Sequence, residues 1–283
     1  MRWRDRRRSS NIEDRRGNRP GGKALGGGIG TIVIILAALY FGVDPTPLLQ
    51  GLQSAAPQAG TQPSAEDLRD DPLADMVAVV LADTEDVWNA IFAEAGLDYR
   101  EPGLVLFSGA TRSACGLGQS AMGPFYCPAD QKAYIDLSFY DDMRTRFEAP
   151  GDFAQAYVIA HEVGHHVQNL LGISGDTRRR QQGMSRVDAN ELSVRLELQA
   201  DCFAGLWANH TDRAWSFLED GDIEEALNAA SAIGDDRLQR RSQGRVVPES
   251  FTHGTSAQRQ RWFRRGLESG DTSACDTFRA TSL

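Results

Sequence analysis

The sequence predicts an α+β fold, mainly helical, with a small antiparallel sheet and one transmembrane helix ahead of it. Three observations carry that expectation. Residues 24–43 form an uncharged run rich in Ile, Val, Leu and Gly, long enough to cross a hydrocarbon core about 30 Å thick. Downstream, apolar residues recur at the helical period over 73–95, 152–171, 188–209, 222–233 and 255–268. Two short stretches read as strands: 104–107, and 133–140, where Tyr134, Asp136, Ser138 and Tyr140 alternate with Ile135, Leu137 and Phe139.

The N-terminal elements set the expected topology. Residues 1–23 carry nine basic side chains (Arg2, Arg4, Arg6, Arg7, Arg8, Arg15, Arg16, Arg19, Lys23) against Asp5, Glu13 and Asp14. That bias predicts a cytoplasmic tail, a single-pass span in the cell membrane, and a domain on the far side. A cleaved signal peptide is the rival reading. The long basic lead, the long apolar run and the lack of a small-x-small site argue against it. A buried core helix is opposed by the Gly/Arg and Pro-rich flanks. Residues 44–66 contain Pro45, Pro47, Pro57 and Pro63 among Gln, Ala, Ser and Gly, a semi-extended spacer. Residues 67–283 then suit one domain with its own core, without internal repeats. Residues 44–283 hold 21 basic and 36 acidic groups, a net of −15. So acidic a surface disfavours nucleic acid and anionic lipid as partners.

Within the 152–171 helix lies His161-Glu162-Val163-Gly164-His165. Positions i and i+4 stack on one helical face, so both imidazoles can meet one ion, and Glu162 sits beside it as a proton acceptor. Solvated surface histidines would need polar neighbours; here the neighbours include Phe153, Val158, Ile159, Val163 and Val167. Burying two histidines and a glutamate among them demands a compensating partner. Asp152 is the expected N-cap and Gly172 the expected stop. Residues 174–186, with three consecutive arginines, read as a polar surface loop and a candidate lid.

The next helix places Glu197 and Asp201 on one stripe among Leu198, Cys202, Phe203 and Leu206. Glu197 is the expected third ligand, and Asp201 the acceptor that fixes a ligand histidine's tautomer. An ion pair of Glu197 with Arg195 or Arg237 is the competing reading, and Glu191 the alternative ligand. Four cysteines, Cys115, Cys127, Cys202 and Cys275, allow three pairings. Cys115–Cys127 would staple the glycine-bearing loop between them, and Cys202–Cys275 would tie the C-terminus to the core. Cys202 as a buried free thiol stays open. No cysteines stand at zinc-ligand spacing.

His161-Glu162-Val163-Gly164-His165 followed by Glu197-Leu198-Gln199-Ala200-Asp201 resembles the gluzincin pattern. Gly123-Pro124-Phe125-Tyr126-Cys127-Pro128, Tyr134–Phe139, Glu197–Gly205 and Ser250–Ser256 are similar to segments of the bacterial neutral zinc metallopeptidase family. The resemblance runs from about residue 67 to the end and includes a membrane-anchored N-terminus. It implies a zincin-like domain, a Zn2+ cofactor and a peptide or protein substrate, cut outside the cytoplasm. Glu162 would take a proton from a zinc-activated water and pass it to the leaving amine. His253, with Arg259 nearby, resembles the downstream His-and-Arg segment of membrane-linked gluzincins, with His253 as donor to the oxyanion; Gly254 replaces the usual proline. The 133–140 strand would resemble the edge strand that pairs with substrate. A zinc amidase acting on cell-wall peptides would share these residues, whereas a non-catalytic metal scaffold would not need Glu162.

Overall fold

The computed structural model describes residues 1–16, 62–63 and 68–283. The main sheet has the order β1 (Ile12–Asp14), β2 (Gly103–Phe107), β6 (Lys132–Asp136), β5 (Phe125–Cys127). β1–β2 and β2–β6 are parallel, with Leu104 opposite Ile12 and Ala133, while β5 runs antiparallel to β6 with Phe125 opposite Tyr134. A separate antiparallel hairpin, β3 (Ala110–Ser113) with β4 (Gly116–Gln119), precedes β5. The inner strands are buried on both faces. Leu104, Leu106, Ala133 and Ile135 join the main core, whereas Val105, Phe107, Cys127 and Tyr134 form a second small cluster.

Helices make up most of the rest. α1 (Pro72–Glu94) starts at Asp71, whose carboxylate accepts from the backbone N–H of Leu73 and Ala74, with Pro72 in the first turn, where its missing N–H costs nothing. Next come α2 (Ser138–Thr145), α3 (Asp152–Leu170), α4 (Ile173–Gln181) and α5 (Arg186–Trp215). α6 (Asp222–Ala232), α7 (Asp235–Gln243) and α8 (Ser256–Ser269) complete the domain. Glycines bring the central helices together. A Cβ on Gly266 of α8 would lie 1.9 Å from the Cys202 carbonyl, and one on Gly205 of α5 2.0 Å from the Phe263 carbonyl. Gly164 of α3 meets Ala200 of α5, its would-be Cβ 3.0 Å from the Ala200 carbonyl. Both disulfides form as the sequence reading paired them, Cys115–Cys127 and Cys202–Cys275.

The expected fold class needs correction. The main sheet is mixed, not antiparallel, because its parallel neighbour β1 comes from the N-terminal tail. No helix among the described residues is long and apolar enough to cross a membrane, and 24–43 and most of 44–66 lie outside the described residues. The basic tail is part of the domain. Its charges meet acids of α1: Arg6–Asp83 at 2.8 Å, Arg8–Asp75 at 2.7 Å, Arg7–Glu85 at 2.9 Å. The Met1 ammonium lies 3.1 Å from Asp152 and 3.2 Å from the buried Asp222. Residues 12–14 pair with β2 as a strand of the domain's own sheet. Three of the arginines read in sequence as a topology signal thus also serve as counter-charges to α1.

Smaller corrections follow the same logic. Residues 138–140 belong to α2 rather than a strand, because the Asp136 carboxylate accepts from the Ser138 N–H at 3.0 Å and turns the chain into a helix. The 133–136 stretch is an inner strand, paired on both sides, and the edge strand beside the cleft is β5. Residues 173–181 are helical rather than a loop, entered through Gly172 at φ +76°. Gly151, not Asp152, occupies the N-cap of α3. α7 went unread, being polar nearly throughout.

Candidate metal centre

α3 and α5 pack antiparallel across Gly164, which sets His161 and His165 opposite Glu197. Two bonds orient each ring. His161 Nδ1 lies 2.8 Å from Asp201 Oδ1, leaving Nε2 3.2 Å from Glu197 Oε2. His165 Nδ1 lies 2.9 Å from Gln168 Oε1, leaving Nε2 3.4 Å from Glu197 Oε1. The donor atoms of His161, His165 and Glu197 all lie within 4.8 Å of one another. That is the set the sequence predicted, and it has the ligand types and count of an open three-ligand zinc centre. The competing readings of Glu197 fall away. Arg195 pairs with Glu191 at 3.0 Å and Arg237 faces Glu148 at 3.6 Å, and neither reaches Glu197. Glu191, 60% exposed and already paired, stands outside the cluster.

Behind His161 is a fully buried charged network. Arg259 donates to both oxygens of Asp201 at 2.8 Å, and Tyr157 donates to Asp201 Oδ1 at 2.5 Å. Arg259 also reaches the Tyr157 hydroxyl at 3.1 Å. Asp201 is pulled down to about 2: burial opposes ionisation, but Arg259 and His161 outweigh it. Burial likewise disfavours a charge on His161, yet Asp201 and Glu197 raise it to about 9. His165 also shifts upward, the Glu197 charge overriding its burial. Glu162 and Asp201 are buried and Glu197 half-buried, three carboxylates gathered near one buried arginine, Arg259. Without a metal the two histidines, both shifted upward, offset the carboxylates; with both rings neutral, as metal ligands must be, a divalent cation on the His161–His165–Glu197 donors would supply the missing positive charge. The residues fit zinc.

Glu162 is buried next to this cluster and lines the same cleft; desolvation raises its carboxyl above the usual range. The cleft encloses about 730 Å3. One wall is the Gly123–Pro128 segment with edge strand β5; Phe139, Phe147, Ile233 and Leu238 give it an apolar end, and His253 reaches it from the turn before α8. That turn is built on Asp235, missed by the sequence reading. Asp235 Oδ2 accepts from the N–H groups of Thr252, His253 and Gly254 at 2.7, 2.6 and 3.0 Å. Its other oxygen lies 3.2 Å from His253 Nδ1, and this bond raises the His253 pKa despite partial burial. Gly254 stands at φ +91°, a conformation that favours glycine over proline. Gln168 was missed too, although its i+3 spacing from His165 on one helix was the available signal. His166 and His210 are structural. His166 is buried between Tyr126 Oη at 2.9 Å and the Arg100 carbonyl at 2.6 Å, and His210 bonds the Gly270 carbonyl at 2.8 Å.

Fold and site together define a mainly helical domain with a candidate two-histidine, one-glutamate metal centre. The chain belongs to the family described as "Putative neutral zinc metallopeptidase", whose model matches residues 1–278. It is 54% identical over 288 aligned positions to the uncharacterized protein YpfJ of Escherichia coli K12, covering 98% of this chain and 99% of that one. It is 47% identical over 195 positions to the uncharacterized protein Rv2575 of Mycobacterium tuberculosis, covering 65% of each. No solved structure matches. The family match begins at residue 1, in keeping with a tail that is built into the fold.

Proposed function

We propose that this protein is a zinc peptidase that hydrolyses peptide bonds outside the cytoplasm. The observation that carries the reading is the convergence of His161 Nε2, His165 Nε2 and Glu197 beside a buried glutamate, Glu162, at the floor of an open cleft. Zinc held by His161, His165 and Glu197 would activate water and polarise the scissile carbonyl. Glu162 accepts the water's proton and returns it to the leaving amine, a role its raised pKa suits. His253, held at Nδ1 by Asp235 and with Nε2 unengaged among the described residues, donates to the oxyanion. Asp201, Arg259 and Tyr157 hold His161 in one tautomer. Among the described residues β5 ends the sheet beside the cleft and could pair with an extended peptide, which supports a peptide over a compact substrate. Two disulfides fit an oxidising compartment.

The test is zinc content by atomic absorption together with hydrolysis of unstructured protein and fluorogenic peptides. One bound zinc and peptide cleavage are expected, with Glu162→Gln keeping the metal and losing turnover. A zinc-loaded protein that leaves every peptide bond intact would remove the peptidase reading, and cleavage confined to cell-wall peptides would redirect it to the amidase.

A further inference from the structure

His161 is backed by a carboxylate, but His165 is backed by an amide, and that amide belongs to a chain of hydrogen bonds with a fixed direction. Gln168 Oε1 faces His165 Nδ1 at 2.9 Å. Its Nε2 donates to the Leu196 carbonyl at 2.6 Å and to Gln199 Oε1 at 3.1 Å. Gln199 Nε2 in turn donates to the Cys275 carbonyl at 3.0 Å. Gln168, Cys202 and Cys275 have no exposed surface, and Gln199 is 5% exposed. Cys275 is bonded to Cys202, three residues beyond Gln199 on the same helix α5.

A carbonyl can only accept, so the Cys275 carbonyl forces the nitrogen of Gln199 towards itself and the oxygen towards Gln168. The Gln168 amide must then present its two N–H groups to Leu196 and Gln199, and its oxygen to His165. An oxygen there accepts only from an Nδ1–H tautomer, which leaves the Nε2 lone pair for the metal. A flipped amide at either glutamine would confront like groups in a site closed to water, at the cost of an unsatisfied buried polar atom.

We infer that Gln168 and Gln199 are positioning residues that fix the His165 tautomer from the Cys275 carbonyl, and that metal retention therefore depends on the Cys202–Cys275 disulfide. The inference rests on the metal reading above. The bridge holds the 3-10 turn Thr272–Cys275 against α5, so its loss frees the acceptor that ends the relay.

The experiment measures zinc affinity by chelator competition on the full chain. It compares wild type, Gln168→Leu, Gln199→Leu, the Cys202→Ala/Cys275→Ala pair, and all three of Gln199→Leu, Cys202→Ala and Cys275→Ala together. Loss of an outer partner of a metal histidine weakens binding about 10–100-fold. Gln168→Leu should fall in that range. Gln199→Leu and the cysteine pair should each weaken binding on the order of tenfold, since Leu196 still holds Gln168. Their combination should not exceed the larger single effect, as expected for one path. Arg195→Met is the control. Arg195 also ties the C-terminal segment to α5, donating to the Thr277 and Ala280 carbonyls, but touches no relay atom. It should leave zinc affinity unchanged. Full additivity of the Gln199 and cysteine effects would overturn the relay. So would unchanged affinity in a folded cysteine-free variant, or an Arg195→Met loss equal to that of Gln199→Leu. A wild-type protein that binds no zinc would instead overturn the metal reading beneath it.

Discussion

The two histidines occupy equivalent positions on one helix, yet their surroundings differ. His161 leans on an ionic cluster, Asp201 with Arg259 and Tyr157, in which every member is charged or bonded to a charge. His165 leans on a neutral relay of two glutamines that ends on a backbone carbonyl. Both devices present the same Nε2 lone pair. The difference lies in what removal costs: breaking a buried ion pair strands a charge, whereas breaking an amide relay strands at most a dipole. The ionic side should thus govern folding as well as metal binding, and the amide side chiefly the metal.

The largest expected effect is on the ionic side. Asp201→Ala leaves Arg259 buried and unpaired, and should destabilise the fold by about 3–5 kcal/mol in urea titration. Gln168→Leu should cost no more than about 1–3 kcal/mol by the same measurement. Equal losses would erase the proposed contrast. Next is the chemistry itself: Glu162→Gln should lower kcat by on the order of 10²–10⁴ with zinc content intact. His253→Ala, removing an oxyanion donor rather than a ligand, should lower kcat about 10²–10³ with KM little changed. Near-normal turnover would reassign the donor role.

The smallest effect is a shift in pH dependence. The Asp235 bond raises the His253 pKa, so the cationic donor persists above the usual imidazole value and is lost as pH rises through the raised one. Activity should fall on that alkaline limb, and Asp235→Asn should move the limb to lower pH. Asp235 is itself lowered, its bonds to His253 and the turn outweighing burial. Its stabilising contribution is present above the ordinary aspartate pKa and is lost as pH falls through the lowered one. A limb that stays in place in Asp235→Asn would detach His253 from that carboxylate.

The helical half of the molecule was legible because its helices are long and their apolar faces repeat. α1, α3, α5, α6 and α8 start and stop within a few residues of the expected bounds, apart from the extended ends of α5. The site was legible for a related reason. His161, Glu162 and His165 share one helix and Glu197 and Asp201 another, so spacing alone puts each set on a face. The short polar elements α2, α4 and α7 were not legible, since nothing periodic marks them and their caps depend on neighbours such as Asp136. Asp235 looked like any loop acid until the turn at Thr252–Gly254 folded onto it.

By itself, the sequence determined the helical frame and the helical faces that carry His161, Glu162, His165, Glu197 and Asp201, which follow from periodicity within local stretches. Tertiary structure alone decided which side of the sheet the basic tail joins. It also decided which of two similar strands forms the edge, and which partner backs each histidine. Those outcomes turn on pairings between residues far apart in the chain, such as Arg6 with Asp83 or Gln199 with Cys275. A charge or an amide shows its type in a sequence, but its partner is chosen only when packing removes the water that would otherwise serve.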